Sequence, residues 1–447
     1  MADQDLFARV YPFEDKKPLC YAQQAIETSS RYIPAKVAPQ LETPKTQWSR
    51  GGRESTEPPE PNARRDAENT SDTVSHLELR FSGVPRTSSG LVFGTDPTCD
   101  IILPKVSGIS KRHFALTFKR KFPDGFPRLI VRDLGSSFGT VVTYNNRGNE
   151  SRSRFDWIIA GFSIPNDATE IVVQPHPDLK LQVVVARHDI SSPVYIGNVA
   201  WFCQGAAAAE NLVYDLDLQE GPETERNTGA HTPVENRILL SLGRIAKGGF
   251  GVVSRHWNVS TAEEYARKKP ADRKFDRRAW EREIDIMKTI SHEHIVRLCS
   301  WDKTPVPTLY LEYMPRGNLE DEHRRARFTP DECVAILNQS LSALVYLHGL
   351  PQSVAHRDIK PENILVSHRD AHRNPDYLHV KLSGFGLSKT GSLKTFCGTM
   401  TYCPPEIHDD MPQSYTKAVD IWSLGVVILQ LAYRLPDPVF GSGMRWC

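Results

Sequence analysis

Residues 355–366 read AHRDIKPENILV, and Asp358, Lys360 and Asn363 place a carboxylate, an ammonium and an amide within six positions of one another. Moving a phosphoryl group needs a carboxylate to orient the attacking hydroxyl and a cation beside the moving phosphate. It also needs ligands for a metal ion that neutralises developing charge, all held in place beforehand. Asp358, Lys360 and Asn363 are suited to those three roles in that order. An ordinary surface loop has no use for this combination at this spacing.

The elements that must position these residues emerge from the rest of the chain. At 447 residues there is room for two ordinary domains and their connectors. Lys and Arg number 55 against 54 for Asp and Glu, a net charge of +1, so no global field draws the chain to nucleic acid or to an anionic membrane. Neither is expected as a partner. The eight cysteines are scattered, without metal-ligand spacing. The first twenty residues lack the apolar core of a signal peptide, and no run approaches the roughly 18 apolar residues of a membrane helix. The chain is expected to be intracellular, in the nucleus or the cytoplasm.

Residues 1–75 are expected to form a disordered leader, rich in Pro, Ser, Thr, Glu and Arg from about Tyr32 on. From 76 to 188, short alternating runs such as HLELRF, HFALTF, RLIVRDL and LKLQVVVA sit between Gly, Pro, Asn and Asp turns, the pattern of an antiparallel β-sandwich. Residues 189–236 are expected to be a linker, within which YIGNVAWFCQGAAAAENLVYDL could form a short packed helix. From 237 to 447, strands around a Gly-rich turn give way to helical periodicity in RRAWEREIDIMKTI, PDECVAILNQSLSALVYLHGL and VDIWSLGVVILQLAYRL. Strands first and helices after give a two-lobed α+β fold, with a small lobe over 237–315 and a helical lobe over 316–447.

The 355–366 stretch resembles the catalytic loop of protein kinases, and Lys two residues after the Asp marks the serine/threonine branch. RIAKGGFGVV resembles their Gly-rich loop, with Ala246 for the first glycine, then Gly248, Gly251 and Val253. The resemblance implies that Lys268 pairs with the α and β phosphates of ATP and with Glu283 on a helix. Ala266, Leu365, the gatekeeper Leu311 and the backbone of Glu312 and Met314 would surround adenine. It further implies a stacked set of His356, Phe385, Met287 and Leu298, anchored by Asp420. In the segment LKTFCGTMTYCPPEI, Thr395 would be the phosphosite that pairs with an otherwise unpaired Arg357, Thr399 would lie against Asp358 and Lys360, and Pro405 and Glu406 would close the segment. The implied cofactors are ATP and Mg2+, and the implied partners are protein substrates. Two departures stand out. Gly384 occupies the position of the metal-binding Asp, leaving Asn363 as the metal ligand. The chain also stops at Cys447, so the helical lobe is expected to be incomplete, with Val426, Val427, Leu429 and Leu431 exposed. A catalytically impaired pseudokinase scaffold therefore remains the alternative to an active kinase.

Residues 93–145 resemble the FHA fold, whose loops at one end of a sandwich hold a phosphothreonine. Gly94 fits the tight turn, Ser110, Lys111 and Arg112 match phosphate-contacting positions, and His113 matches the buried brace. Ser136, Ser137, Gly139 and Thr140 match the second loop. Thr95 and Phe138 stand where Arg and Asn are usual, so a bidentate guanidinium contact is missing. The order of domains resembles that of FHA-containing fungal serine/threonine kinases of the checkpoint type. Phosphothreonine-containing proteins are the further implied partners.

Overall fold

Leu6, Phe7, Ala8 and Val10 are all buried, because their strand lies inside a sheet rather than in an unstructured leader. The computed structural model describes residues 3–13, 21–35, 74–214 apart from 121, 123, 162–163 and 166–167, 237–390 apart from 249–250, 273, 371 and 373, 400–404, and 416–433. The described chain divides into two compact units, one of residues 1–240 with 258–263, the other of 241–257 with 264–447.

The first unit holds strands β1 (Leu6–Pro12), β2 (Tyr32–Ile33), β3 (His76–Arg80), β4 (Leu91–Gly94), β5 (Ile101–Ile102), β6 (Phe114–Lys119), β7 (Arg128–Asp133), β8 (Val141–Tyr144), β9 (Asp156–Ile158), β10 (Ile171–His176) and β11 (Leu179–Val185), with helices α1 (Tyr21–Glu27) and α2 (Pro193–Tyr214). One sheet runs β2-β3-β1-β11-β10-β8 and the other β5-β4-β6-β7-β9, the two sheets of a β-sandwich. The leader expected over 1–75 is corrected at its start: β1 pairs antiparallel with β3 and β11, Val10 facing Leu77 and Val183. Leaving β1 out would expose the backbone groups of both neighbours. Residues 36–73 lie outside the described residues. Within the linker expected over 189–236, the short packed helix expected of 195–216 forms as α2, which buries Tyr195, Val199 and Phe202 in this unit. Phe202 meets Phe7 and Phe118 edge-on at 5.4 Å each, and Phe7 lies 5.2 Å from Phe81. At about 1.5–3 kcal/mol for each large apolar side chain, this cluster holds α2 onto the strands.

The second unit opens with β12 (Leu239–Gly248), β13 (Gly251–Asn258), β14 (Glu264–Lys269), β15 (Leu298–Asp302) and β16 (Thr308–Glu312), in sheet order β12-β13-β14-β16-β15, with α3 (Arg277–Thr289) between β14 and β15. Asp276 caps α3 by accepting from Ala279 N–H. Helices α4 (Leu319–Arg325), α5 (Pro330–Gly349) and α6 (Ala418–Ala432) follow, with short strands β17 (Val354–Ala355), β18 (Ile364–His368), β19 (His379–Leu382) and β20 (Lys389–Thr390). Thr329 and Glu332 form a reciprocal capping box on α5. Glu332 also receives Arg369 in a fully buried pair, Nε to Oε1 at 2.7 Å, while Arg369 stacks 4.1 Å over Phe328. On α6, Val427 and Leu431 are buried in the core, contrary to the exposure expected of them. A helix turns one face inward, and these two lie on it; Ile421, Trp422 and Leu429 are the side chains on its exposed side. Among the described residues no helix is long and apolar enough to cross a membrane.

Candidate functional site

The loop from β17 to β18 is shaped from below by Asp420, fully buried in the first turn of α6. Its Oδ2 accepts the His356 N–H at 2.9 Å, its Oδ1 accepts the Arg357 N–H at 2.8 Å, and the His348 ring lies 2.8 Å away. A carboxylate holding two successive backbone donors supports the positive φ of Arg357, +70°. His356 is entirely buried, and burial lowers its pKa, so its ring is neutral. Its Nδ1 accepts the Asp358 N–H at 3.3 Å, so Nε2 carries the proton and donates to the Ser383 carbonyl at 2.8 Å. The ring also sits 4.8 Å from that of Phe385. Phe385 and Met287 are buried in one cluster, against which Leu298 packs.

Above this base, Asp358 is almost buried, and its Oδ2 receives Lys360 Nζ at 3.2 Å and Asn363 Nδ2 at 2.8 Å. Asn363 Nδ2 also donates to the Asp358 carbonyl at 2.8 Å, so the amide is turned onto Asp358 from two sides. Across the unit, Lys268 on β14 meets Glu283 on α3, Nζ to Oε1 at 2.5 Å, both buried. Removing either partner would strand a buried charge, so this pair is costly to break. Lys268 lies opposite Val253 on β13, and Ala266 lies opposite Leu311 on β16. The Glu312 N–H is donated to the Arg297 carbonyl at 3.0 Å, so any contact of its backbone with a ring falls to its carbonyl. Met314 is buried just beyond, and Leu365 bridges to Asn318. Ala246 and Gly248 end β12, and Gly251, at φ +124°, has no room for a Cβ against the Lys269 carbonyl.

Gly384 adopts the left-handed conformation at φ +83°, and a Cβ there would meet Asn363 Cγ and Oδ1, each at 2.6 Å. The carboxylate missing at 384 and the turned Asn363 amide are thus two sides of one local arrangement. The expectation that Arg357 stands unpaired is corrected, since its guanidinium donates to the Leu387 carbonyl at 3.3 Å. Thr395, Thr399, Pro405 and Glu406 lie outside the described residues. Motif reading missed a tie between Lys381 on β19 and Glu312 on β16, Nζ to Oε1 at 2.7 Å. Its two ends lie far apart in the chain, and the resemblance gives Glu312 a role only through its backbone.

In the first unit, the Ser110 N–H donates to Nδ1 of the fully buried His113 at 3.0 Å, and the opposite ring nitrogen reaches the Gly139 carbonyl at 3.3 Å. Burial lowers the His113 pKa. One neutral imidazole therefore braces both loops. Ser110 Oγ accepts the Ser137 N–H at 3.1 Å, joining the loops a second time. Lys111 and Arg112 are exposed beside them, with Arg112 reaching Ser89 Oγ at 3.2 Å, and the Thr95 N–H donates to the Ser110 carbonyl at 3.2 Å. Thr140 is a correction. It is fully buried, its hydroxyl donating to Asp133 Oδ2 at 2.7 Å, and it faces the interior rather than a ligand. Asp133 also receives the Ser136 hydroxyl at 2.5 Å. Burial raises the pKa of this carboxyl, but the hydrogen bonds from Ser136, Thr140 and the Arg154 backbone outweigh that and hold it below the usual range. Gly139 is buried at φ +76° with Ser151 against its α-carbon, so it permits a close approach and contributes no surface. Phe138 is 73% exposed next to it.

A protein kinase domain model matches residues 240–441, and an FHA domain model matches residues 91–153. The serine/threonine-protein kinase cds1 of Schizosaccharomyces pombe is 30% identical over 361 residues, which is 75% of this chain and 66% of that protein. Myosin light chain kinase A of Dictyostelium discoideum is 31% identical over 221 residues, 47% of this chain and 71% of that protein. The crystal structure of Rad53 1-466 in complex with AMP-PNP aligns with a TM-score of 0.47 at 22% identity, covering 80% of this chain and 78% of that one. The chain spans between about half and two thirds of the length of the first curated relatives it matches.

Proposed function

Because this chain belongs to the protein kinase family and carries an FHA domain ahead of its kinase domain, we propose that it is a serine/threonine protein kinase. It binds ATP, transfers the γ-phosphate to protein serine or threonine hydroxyls, and is directed to phosphorylated partners by the FHA domain. The observation that carries this reading is the buried Lys268–Glu283 pair in the same unit as an Asp358 that Lys360 contacts. Glu283 holds Lys268 for the α and β phosphates. Asp358 accepts the hydrogen bond of the substrate hydroxyl and orients it, while Lys360 offsets charge on the phosphoryl group in flight. Ala266, Val253, Leu311, Leu365 and the backbone of Glu312 and Met314 serve the adenine.

Magnesium would supply charge neutralisation across the β and γ phosphates. The residues present do not fit the pair of ligands it needs, since Gly384 offers no carboxylate and the Asn363 amide is engaged with Asp358. A neutral amide alone is a poor ligand for so hard a dication. This favours a second reading of the same site, a nucleotide-binding scaffold with slow transfer. In the FHA domain, Ser110, Lys111, Arg112 and Ser137 are the groups available to a phosphothreonine, and without a guanidinium at Thr95 the affinity is weak.

The test takes the purified full chain, Asp358→Ala and Lys268→Met. Slow transfer to a generic protein substrate that vanishes in Asp358→Ala, with an ATP-induced thermal shift lost only in Lys268→Met, supports the kinase. Neither ATP binding nor transfer in the unaltered chain would overturn it. ATP binding with transfer equal to that of Asp358→Ala would leave the scaffold.

A further inference from the structure

Outside the motif residues, the loop that follows α3 carries Glu293 and His294, and β19 begins at His379. One ligand atom from each of these three side chains lies within 4.8 Å of the others. His379 Nε2 stands 3.6 Å from Glu293 Oε1, and the His294 and His379 ring centroids are 5.0 Å apart. They line a groove of about 800 Å³ in the kinase unit. We propose that Glu293, His294 and His379 form a three-ligand site for a divalent transition ion of the zinc type, which ties the loop after α3 to strand β19.

Zinc bonds of about 2.0–2.1 Å in a tetrahedron set neighbouring ligand atoms roughly 3.4 Å apart. The His379–Glu293 separation already matches that spacing. Glu293, whose side chain is 74% exposed, can swing to meet an ion without disturbing a core, and the distance between the two imidazoles closes by a small shift of the partly exposed His379 ring. His294 is oriented as a ligand before any ion arrives: its Nδ1 donates to the Val380 carbonyl at 3.1 Å, which leaves Nε2 as the nitrogen with a lone pair for an ion. The two cations on the groove wall do not oppose an ion with unbalanced charge. Lys381 is paired with Glu312 at 2.7 Å, and Arg369 with Glu332 at 2.7 Å. Two imidazoles and one carboxylate with an open fourth position suit zinc or cobalt over the hard ions that prefer oxygen alone.

The ion would act where the loop and strand already touch. The Leu382 N–H donates to the His294 carbonyl at 2.9 Å, and the Val296 N–H donates to the Leu382 carbonyl at 2.9 Å. Strand β19 runs on directly into Ser383 and Gly384, and α3 carries Glu283, so the bound ion would clamp together the two segments that lead into the catalytic residues.

The experiment uses the tag-free full chain, stripped with a chelator and titrated with Co2+ without nucleotide, so that its outcome is independent of catalysis. The expected result is a single equivalent with the visible absorption of tetrahedral nitrogen and oxygen ligation, no thiolate charge-transfer band, and displacement by Zn2+. His379→Gln and His294→Gln should each weaken binding at least tenfold, and the exposed Glu293→Gln, which does not threaten the fold, should weaken it measurably. Absence of a stoichiometric site would overturn the proposal. So would a thiolate band, or affinities in Glu293→Gln and His379→Gln equal to that of the parent.

Discussion

Replacing Gly384 separates steric from chemical consequences in one position. Gly384 sits at φ +83°, and an added Cβ would lie 2.6 Å from two atoms of the Asn363 side chain. Any substitution must therefore push that amide off Asp358, breaking two hydrogen bonds of 2.8 Å, one of them to a carboxylate. For Gly384→Ala the left-handed backbone costs roughly 1–2 kcal/mol. The lost hydrogen bonds add about 0.5–1.5 kcal/mol for the neutral acceptor and more for the charged one, part of which water restores at this half-exposed amide. A net loss of about 2–4 kcal/mol is expected, lowering the melting temperature of the kinase unit by roughly 5–15 °C. Gly384→Asp meets the same clash, but Asp tolerates the left-handed region better. It also adds the missing carboxylate and releases Asn363 to turn toward a metal. With a metal contribution of about 3–5 kcal/mol to the transition state, transfer should rise by roughly two to four orders of magnitude. The assay measures phosphorylation of a generic substrate against magnesium concentration, with melting curves of all three proteins. A Gly384→Ala protein that melts with the parent would refute the clash. Unchanged transfer in a folded Gly384→Asp protein would refute the view that the missing carboxylate limits the chemistry.

Thr95→Arg should tighten binding of a phosphothreonine peptide about tenfold or more, since a charge-assisted contact is worth roughly 1.5–3 kcal/mol; an unchanged titration would mean that the phosphate sits elsewhere. Arg369→Ala removes the guanidinium from Glu332, itself fully buried, and the urea midpoint of the kinase unit should fall by the equivalent of about 3–5 kcal/mol; a loss below 1 kcal/mol would contradict the buried network. His113 has a folded pKa below the ordinary 6.5, so the unfolded chain binds the extra proton first on acidification. The stability it contributes is complete above about pH 6.5, declines as pH falls toward the folded pKa, and levels off below it. Hydrogen exchange of the 107–113 loop, corrected for intrinsic rates, should therefore accelerate as pH falls below about 6.5 in the parent and not in His113→Gln; equal acceleration in both would exclude His113 as the origin.

What the sequence determined by itself was the chemistry carried by short contiguous motifs. Asp358, Lys360 and Asn363 are legible as a group because they share one loop, and Lys268 and Glu283 through the resemblance of their segments to kinase motifs; the structure adds that the latter two meet and are buried. The two-unit division and the order of sandwich before two-lobed fold follow equally from local alternation and helical periodicity. The placement of β1 was not legible, because its partners, Leu77 and Val183 against Val10, are distant in the chain, and a composition average over the whole leader hides a seven-residue strand. Motif matching also assigned Thr140 to a ligand, whereas the Asp133 carboxylate turns its hydroxyl inward. The sequence marked Gly384 only as a missing carboxylate. Packing decided that the space beside it is filled by the Asn363 amide, and that His294 and His379 share a groove. Such outcomes depend on which side chains meet once distant segments are buried together, and burial is a property of the folded chain as a whole.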